Sequence, residues 1–233
     1  MLERLAAEPQ RAGLFVDFDG VLAPIVARPD DAYPPPEARE ELERLVRRYA
    51  LVAVVSGRGG DDVRRRVGVD GVVCVGSHGL ELDSRAEVWR ARIDAFANEA
   101  GWNDTERKGL TVSLHYRRAE DEAAAIAELE SLAERARSAG LEARFGRKVL
   151  EVLPPIDANK GTAVRRLLAD SNLHRALVAG DDTTDLDAFR AVDGLELGVR
   201  VAVAADESPP ELRASADVVV GSTQEFLALM KTL

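Results

Sequence analysis

The sequence predicts an α/β fold, a parallel-sheet core interrupted by an inserted α+β unit. Three observations predict it. Apolar runs such as Leu51-Val-Ala-Val-Val55 and Ala176-Leu-Val-Ala179 suit strands covered on both faces. Segments with helical apolar spacing alternate with such runs toward both ends of the chain. Between roughly residues 87 and 154 the order becomes helix, strand, strand, repeated, which suits a small antiparallel sheet with helices on one face. The core is therefore expected at 1–86 and 155–233, and the cap at 87–154.

Each element has its own cue. Residues 13–18 read as a first strand, in which four apolar or small residues, Gly13 to Val16, run into the aspartates at its end. The Pro34-Pro-Pro36 run leads into a helix at 37–49, with Ala38, Leu42, Leu45 and Val46 on one face. A strand at 51–55, a helix at 61–67 and a strand at 72–75 follow. Residues 80–82 and 87–89 are expected to pair as a hairpin around Asp83-Ser-Arg-Ala86. In the cap, helices are expected at 90–101 and 119–139, the second ending at Gly140. The alternation Leu110-Thr-Val-Ser-Leu-His-Tyr116 suits a half-buried strand, paired with a short one near 103–108. Two more strands, 141–145 and 148–153, flank Gly146-Arg147. After Pro154-Pro155 the α/β rhythm resumes, with helices at 160–170, 184–192 and 222–231 and strands at 176–179, 196–203 and 216–220.

Composition narrows the function classes. The formal charge of −10 argues against general nucleic-acid binding, which needs a basic face. It does not exclude an anionic small molecule, because the local field decides that. No apolar run is long enough to span a bilayer, and the first residues do not form a signal peptide. Cys74 is the only cysteine and lies in an apolar run, so it reads as a strand residue. A cytoplasmic, monomeric protein acting on a small molecule is expected. Lysine is scarce: only Lys108, Lys148, Lys160 and Lys231 occur where arginine otherwise serves. A compact ammonium at the first three therefore points to a specific need.

Acidic residues gather at strand ends. Val16-Asp17-Phe-Asp19-Gly20 places two carboxylates after the first strand, and Gly180-Asp181-Asp182-Thr-Thr-Asp185 places three more after another. In open α/β sheets ligands bind at that end. Close carboxylates repel unless a cation sits between them, and an all-oxygen set suits Mg2+. Taken alone, Asp17 and Asp19 are also consistent with an acidic turn, and Asp182 or Asp185 with a helix N-terminal acid. Ser56, in Val55-Ser56-Gly57-Arg58, is placed to bond a phosphate oxygen or to close a turn. Lys160 opens a helix, where a cation opposes the dipole unless an anion lies close by.

In this order, Asp17-x-Asp19, Ser56, Lys160 and Gly180-Asp181-Asp182-x-x-Asp185 resemble the four motifs of the haloacid dehalogenase-like phosphohydrolases. Within that superfamily several longer strings resemble the trehalose-6-phosphate phosphatase family. They are Asp17 to Ile25 with Pro29, Ser56-Gly-Arg58, Gly76-Ser-His78-Gly-Leu-Glu81 and Val149-Leu-Glu151-Val. The resemblance implies a Rossmann-like core of haloacid dehalogenase type. It implies a Mg2+-dependent phosphatase acting through an aspartyl phosphate. Asp17 would be the nucleophile and Asp19 the acid and base. Ser56 and Lys160 would bind the phosphoryl group. The metal would be held by Asp17, the Asp19 carbonyl and Asp181, with Asp182 and Asp185 behind them. Arg58, His78, Glu106, Lys108, His115, Arg117, Lys148 and Glu151 would contact the substrate, the cap residues reading the sugar. Val21, Leu153 and Asn159 depart from the family's usual residues. A phosphatase for another sugar phosphate, such as mannosyl-3-phosphoglycerate or sucrose phosphate, and a non-catalytic sugar-phosphate sensor are the competing readings.

Overall fold

A computed structural model describes residues 1–26, 28–146, 148–204 and 208–233. The first part of the chain forms α1 (Leu2–Ala7), β1 (Ala12–Val16), α2 (Pro36–Arg48), β2 (Leu51–Val55), α3 (Gly60–Val67) and β3 (Val73–Val75). Then come α4 (Arg90–Ala100), β4 (Thr105–Arg107), β5 (Val112–His115), α5 (Glu122–Ser138), β6 (Glu142–Gly146) and β7 (Val149–Leu153). The last part forms α6 (Lys160–Asp170), β8 (Arg175–Gly180), α7 (Asp185–Arg190), β9 (Leu197–Val203), α8 (Pro210–Ser215), β10 (Val218–Val220) and α9 (Thr223–Met230). Two compact units result: Met1–Gly79 with Ala158–Leu233, and Leu80–Asp157.

In the first unit six strands form one sheet in the order β10-β9-β8-β1-β2-β3, and every registered pair is parallel. All residues of β1 and β8 are buried, so neither shows polar alternation. Leu14, Val16, Val54 and Val199 pack with Leu42, Leu45, Val63 and Phe226 from the helices in one apolar cluster. Each such side chain removed from water contributes about 1.5–3 kcal/mol. The strand order runs outward in opposite directions from β1 and β8. The switch point of this α/β sheet therefore lies between them, and in such sheets ligands bind in the crevice at the carboxyl ends of the strands there.

In the second unit four antiparallel strands run in the order β4-β5-β7-β6. Val112, Leu114, Leu150 and Val152 cluster with Ile93 and Phe96 of α4 and with Leu129 and Leu132 of α5. Strand alternation puts Ser113, His115 and Glu151 on the other face. Register places Glu106, Ser113, Glu151 and Arg144 in one row across the four strands.

The structure corrects the sequence reading in several places. The expected hairpin at 80–82 and 87–89 is absent; 3-10 turns span Ser77–Leu82 and Glu87–Trp89 instead. Alternating apolar residues over three positions fit a single turn as well as a strand. α1 and α8 carried no expectation; each is six residues long, too short for a clear apolar period. Of the turn expected at Gly146-Arg147, Arg147 lies outside the described residues.

Candidate active site

The site builds from the ends of β1 and β8. The Asp17 amide donates to the Ala179 carbonyl at 3.0 Å, which fixes the end of β1 beside β8. Asp17 is 7% exposed, and its Oδ1 accepts the Phe18 amide at 2.7 Å. The chain then turns sharply, with Gly20 donating to Ala23 at 2.8 Å. Gly20 has φ +76°, and a Cβ there would stand 2.1 Å from Asp181 Oδ2. A side chain at position 20 would therefore be strained and would push Asp181 away.

Helix α6 delivers Lys160. The Asn159 side chain accepts the Thr162 amide at 2.9 Å while Thr162 Oγ1 accepts the Asn159 amide at 3.0 Å, closing a reciprocal cap. Lys160, the first residue of the helix, is 3% exposed. Its Nζ lies 2.7 Å from both Asp17 Oδ2 and Asp185 Oδ1. The other Asp185 oxygen accepts the amides of Asp181 and Asp182, each at 3.1 Å. Burial opposes the Lys160 charge, but Asp17 and Asp185 outweigh it and hold the ammonium above its usual range.

Ligand oxygens of Asp17, Asp181 and Asp185 lie within 4.8 Å of one another. Burial pushes the Asp17 carboxyl up to about 7, against the attraction of Lys160. Burial, then repulsion from Asp17 and Asp185, pushes Asp181 up to about 9. These are carboxylates short of positive charge. Both Asp185 oxygens accept donors, as both Asp17 oxygens do, but Asp185 is the more deeply buried at 1% exposure and is tied to Lys160 and to two amides of the β8 turn. Asp17, with Asp181 beside it, offers an all-oxygen pair that fits a hard divalent cation.

The other expected residues divide. Ser56 is buried, and its Oγ accepts the Arg58 amide at 3.2 Å. His78 packs its ring over Gly57, where a Cβ would meet Nε2 at 2.6 Å. Asp182 is exposed and turns to the Thr183 amide at 2.7 Å, away from Lys160. Arg58 is turned toward Asp19, with two bonds of 2.7 Å. In the second unit, Lys108 Nζ lies 3.4 Å from Glu151 Oε1 and 3.8 Å from Glu106 Oε2. His115 Nε2 is 3.0 Å from the same Glu106 oxygen. Those four form one polar cluster. Lys148 is not part of it: it takes φ +63° and pairs with Glu122 at the start of α5. Arg117 is exposed in the turn after β5. Val21 and Leu153 are buried apolar residues.

Sequence reasoning passed over Asp62 and Arg66, which brace Arg58. Their i,i+4 spacing on α3 was visible, but such pairs usually mark a solvated helix face. It named His78 but gave no sign of the left-handed backbone at Ser77 and His78, φ 50° and 55°, because nothing in residue type announces that conformation.

A parallel sheet carrying acidic strand ends and a helix-borne lysine at its switch point is the core architecture of the haloacid dehalogenase-like fold. A haloacid dehalogenase-like hydrolase from Bacteroides thetaiotaomicron shares the fold, with TM-score 0.65 at 13% identity, covering 95% of this chain and 98% of that one. The family model described as trehalose-phosphatase matches residues 15–105 and 103–220, and the chain belongs to that family. A trehalose-phosphate phosphatase from Mycobacterium avium is 36% identical over 206 residues, covering 78% of this chain and 51% of the relative. The crystal structure of a trehalose-6-phosphate phosphatase related protein superposes with TM-score 0.76 at 23% identity, covering 94% of this chain and 95% of that one. The chain spans 16% of the length of an uncharacterized glycosyl hydrolase of Mycobacterium tuberculosis and about half the length of the trehalose-phosphate phosphatase from Mycobacterium avium.

Proposed function

We propose that this chain is a Mg2+-dependent phosphatase that releases trehalose and phosphate from trehalose 6-phosphate. The observation that carries the reading is Asp17, buried at the end of β1 with Lys160 Nζ at 2.7 Å and Asp181 facing it. A buried carboxylate between an ammonium and a second carboxylate is poised for an anionic phosphoryl group only when further positive charge is supplied. Family membership directs the choice of substrate.

In the proposed reaction an Asp17 oxygen attacks phosphorus, and the bond from phosphorus to the sugar oxygen breaks. Asp19 gives its proton to that leaving oxygen. Asp19 then takes a proton from water, whose oxygen attacks the aspartyl phosphate and frees the Asp17 carboxylate. Lys160 and Ser56 bind the phosphoryl oxygens as charge redistributes. Asp17, the Asp19 carbonyl and Asp181 would hold Mg2+, which supplies Lewis-acid neutralisation of the phosphate. Asp185 keeps Lys160 oriented. Glu106, Lys108, His115 and Glu151 bind sugar hydroxyls, for which a mixed set of charged donors and acceptors is suited. A reducing cytoplasmic compartment suits a chain whose one cysteine, Cys74, can form no internal disulfide.

The test is phosphate release from trehalose 6-phosphate beside glucose 6-phosphate, sucrose phosphate and mannosyl-3-phosphoglycerate, before and after metal removal with EDTA. Strong preference for trehalose 6-phosphate, lost with EDTA and restored by Mg2+, is expected. Preference for another substrate, or full activity in protein shown to be metal-free, would overturn the corresponding part.

A further inference from the structure

A guanidinium two residues from a phosphate-binding serine is ordinarily read as a substrate contact. The Arg58 side chain is committed elsewhere. Its Nε donates to Asp19 Oδ2 and its Nη2 to Asp19 Oδ1, both at 2.7 Å. This is a two-point fork, which sets the plane of the carboxylate as well as its place. Nη2 also donates to the Pro29 carbonyl at 2.9 Å, and Nη1 to Asp62 at 3.3 Å. The guanidinium lies over the buried Phe18 ring, 5.3 Å from its centroid. These contacts use nearly all of its donors.

Arg58 is itself braced. Asp62 accepts Arg66 Nε at 2.7 Å, and Arg66 Nη1 donates to the carbonyls of Asp30 and Ala32 at 2.9 and 3.0 Å. Arg66 is 6% exposed, so this is an internal strut and no surface pair. The Ser77 amide donates to the Arg58 carbonyl at 2.7 Å from a left-handed backbone, φ 50°. Side chain and main chain of Arg58 are thus both held. Asp19, by contrast, stands on a tight loop with its side chain 35% exposed. A carboxylate so placed would otherwise sample several rotamers, and each would have to be frozen at the moment of proton transfer.

We infer that Arg58 is a positioning residue for Asp19, held in place by Asp62 and Arg66. The inference rests on the proposed role of Asp19 as acid and base. It is tested with Mg2+-loaded wild type, Arg58→Ala, Arg58→Lys, Asp19→Asn and the Arg58→Ala/Asp19→Asn double variant. Substrates are trehalose 6-phosphate, whose alkoxide needs a proton to leave, and p-nitrophenyl phosphate, whose phenolate does not. kcat/KM reports the steps through leaving-group departure. Arg58→Ala should lower it about 100-fold on the sugar phosphate and less than about tenfold on the aryl phosphate. Arg58→Lys should recover part of the loss. In the Asp19→Asn background the Arg58 change should matter less than about threefold. Equal losses on both substrates, or losses that multiply with Asp19→Asn, would overturn the inference. Denaturant unfolding of the same four single and double proteins gives a second reading, independent of turnover. Coupling between the two changes supports the hold of Arg58 on Asp19, and strict additivity overturns it. Wild type that hydrolyses no sugar phosphate would remove the proposed function, and the unfolding cycle would then decide the hold by itself.

Discussion

At the residue scale, Asp17 carries the heaviest demand. Its carboxyl is buried, and Lys160 is its one close cation among the described residues. Asp17→Asn keeps the shape but removes the proposed nucleophile and a charge proposed to hold the metal. Turnover should fall by roughly four or more orders of magnitude. The folded state should persist, because an amide in that place no longer has to bury a charge. Phosphate release near the wild-type rate from a folded Asp17→Asn protein would remove the residue from its proposed role. Gly20 makes a quieter demand. Its φ of +76° and the 2.1 Å approach of Asp181 leave no room for a methyl group. Gly20→Ala should cost about 1–3 kcal/mol in unfolding free energy and lower activity by displacing Asp181. An unchanged midpoint and rate would show that the loop relaxes around the methyl.

At the element scale, the sequence cues for the active-site strands were strong and the cues for the cap face were weak. Fully apolar runs ending in aspartate can hardly be anything but buried strands with acidic tips. The α6 start was legible from Lys160 alone, but its geometry depends on Asn159, whose departure from the family's usual residue seemed unimportant. The reciprocal bonds between Asn159 and Thr162 begin the helix at Lys160. Asn159→Ala should lower stability by about 1 kcal/mol, measured by denaturant unfolding, and should reduce kcat by loosening Lys160. A fall in stability with an unaltered kcat would separate the cap from the catalytic lysine. On the antiparallel sheet, Glu106, Lys108, His115 and Glu151 meet because register aligns β4, β5 and β7. Lys108→Ala or Glu151→Ala should reduce kcat/KM on trehalose 6-phosphate by about ten- to a thousand-fold, roughly 1.4–4 kcal/mol. Hydrolysis of a small aryl phosphate should fall far less, since it has no sugar to bind. Matching losses on both substrates would refute sugar recognition by this cluster.

At the scale of the whole molecule, charge at the sheet switch point sets the response to metal and pH. Asp17 and Asp181 have carboxyls raised from the ordinary 3.8 to about 7 and about 9, first by burial and then by repulsion, from Asp185 on Asp17 and from Asp17 and Asp185 on Asp181. The metal-free fold therefore binds more protons than the unfolded chain across that window. The stability this proton uptake contributes is fully present below about pH 3.8 and is lost as pH rises through about 7 and then about 9. A divalent cation binds the deprotonated pair and should reverse the trend. Adding Mg2+ should raise Tm, and by more at about pH 8 than at about pH 5.5, where protons compete for the same oxygens. A shift that is absent, or larger at the acid end, would contradict a metal site at Asp17 and Asp181.

The chain by itself determined the parallel core, the alternation into an antiparallel sheet, and the acidic and basic residues at strand and helix ends. These follow from local periodicity and residue type, which need only near neighbours in sequence. Tertiary structure alone decided which of those residues meet. Lys160 reaches Asp17 across 143 positions only because β1 and β8 pair and α6 is capped at Asn159. Arg58 could equally have faced a substrate. Its grip on Asp19 depends on a left-handed turn at Ser77, a brace from α3 and a ring beneath it at Phe18. Lys148 stands apart from the cluster of Glu106, Lys108, His115 and Glu151 for the same kind of reason, since it has a positive φ and pairs with Glu122 of α5. Side-chain direction is set by the packing of distant segments, and spacing along one segment does not carry it.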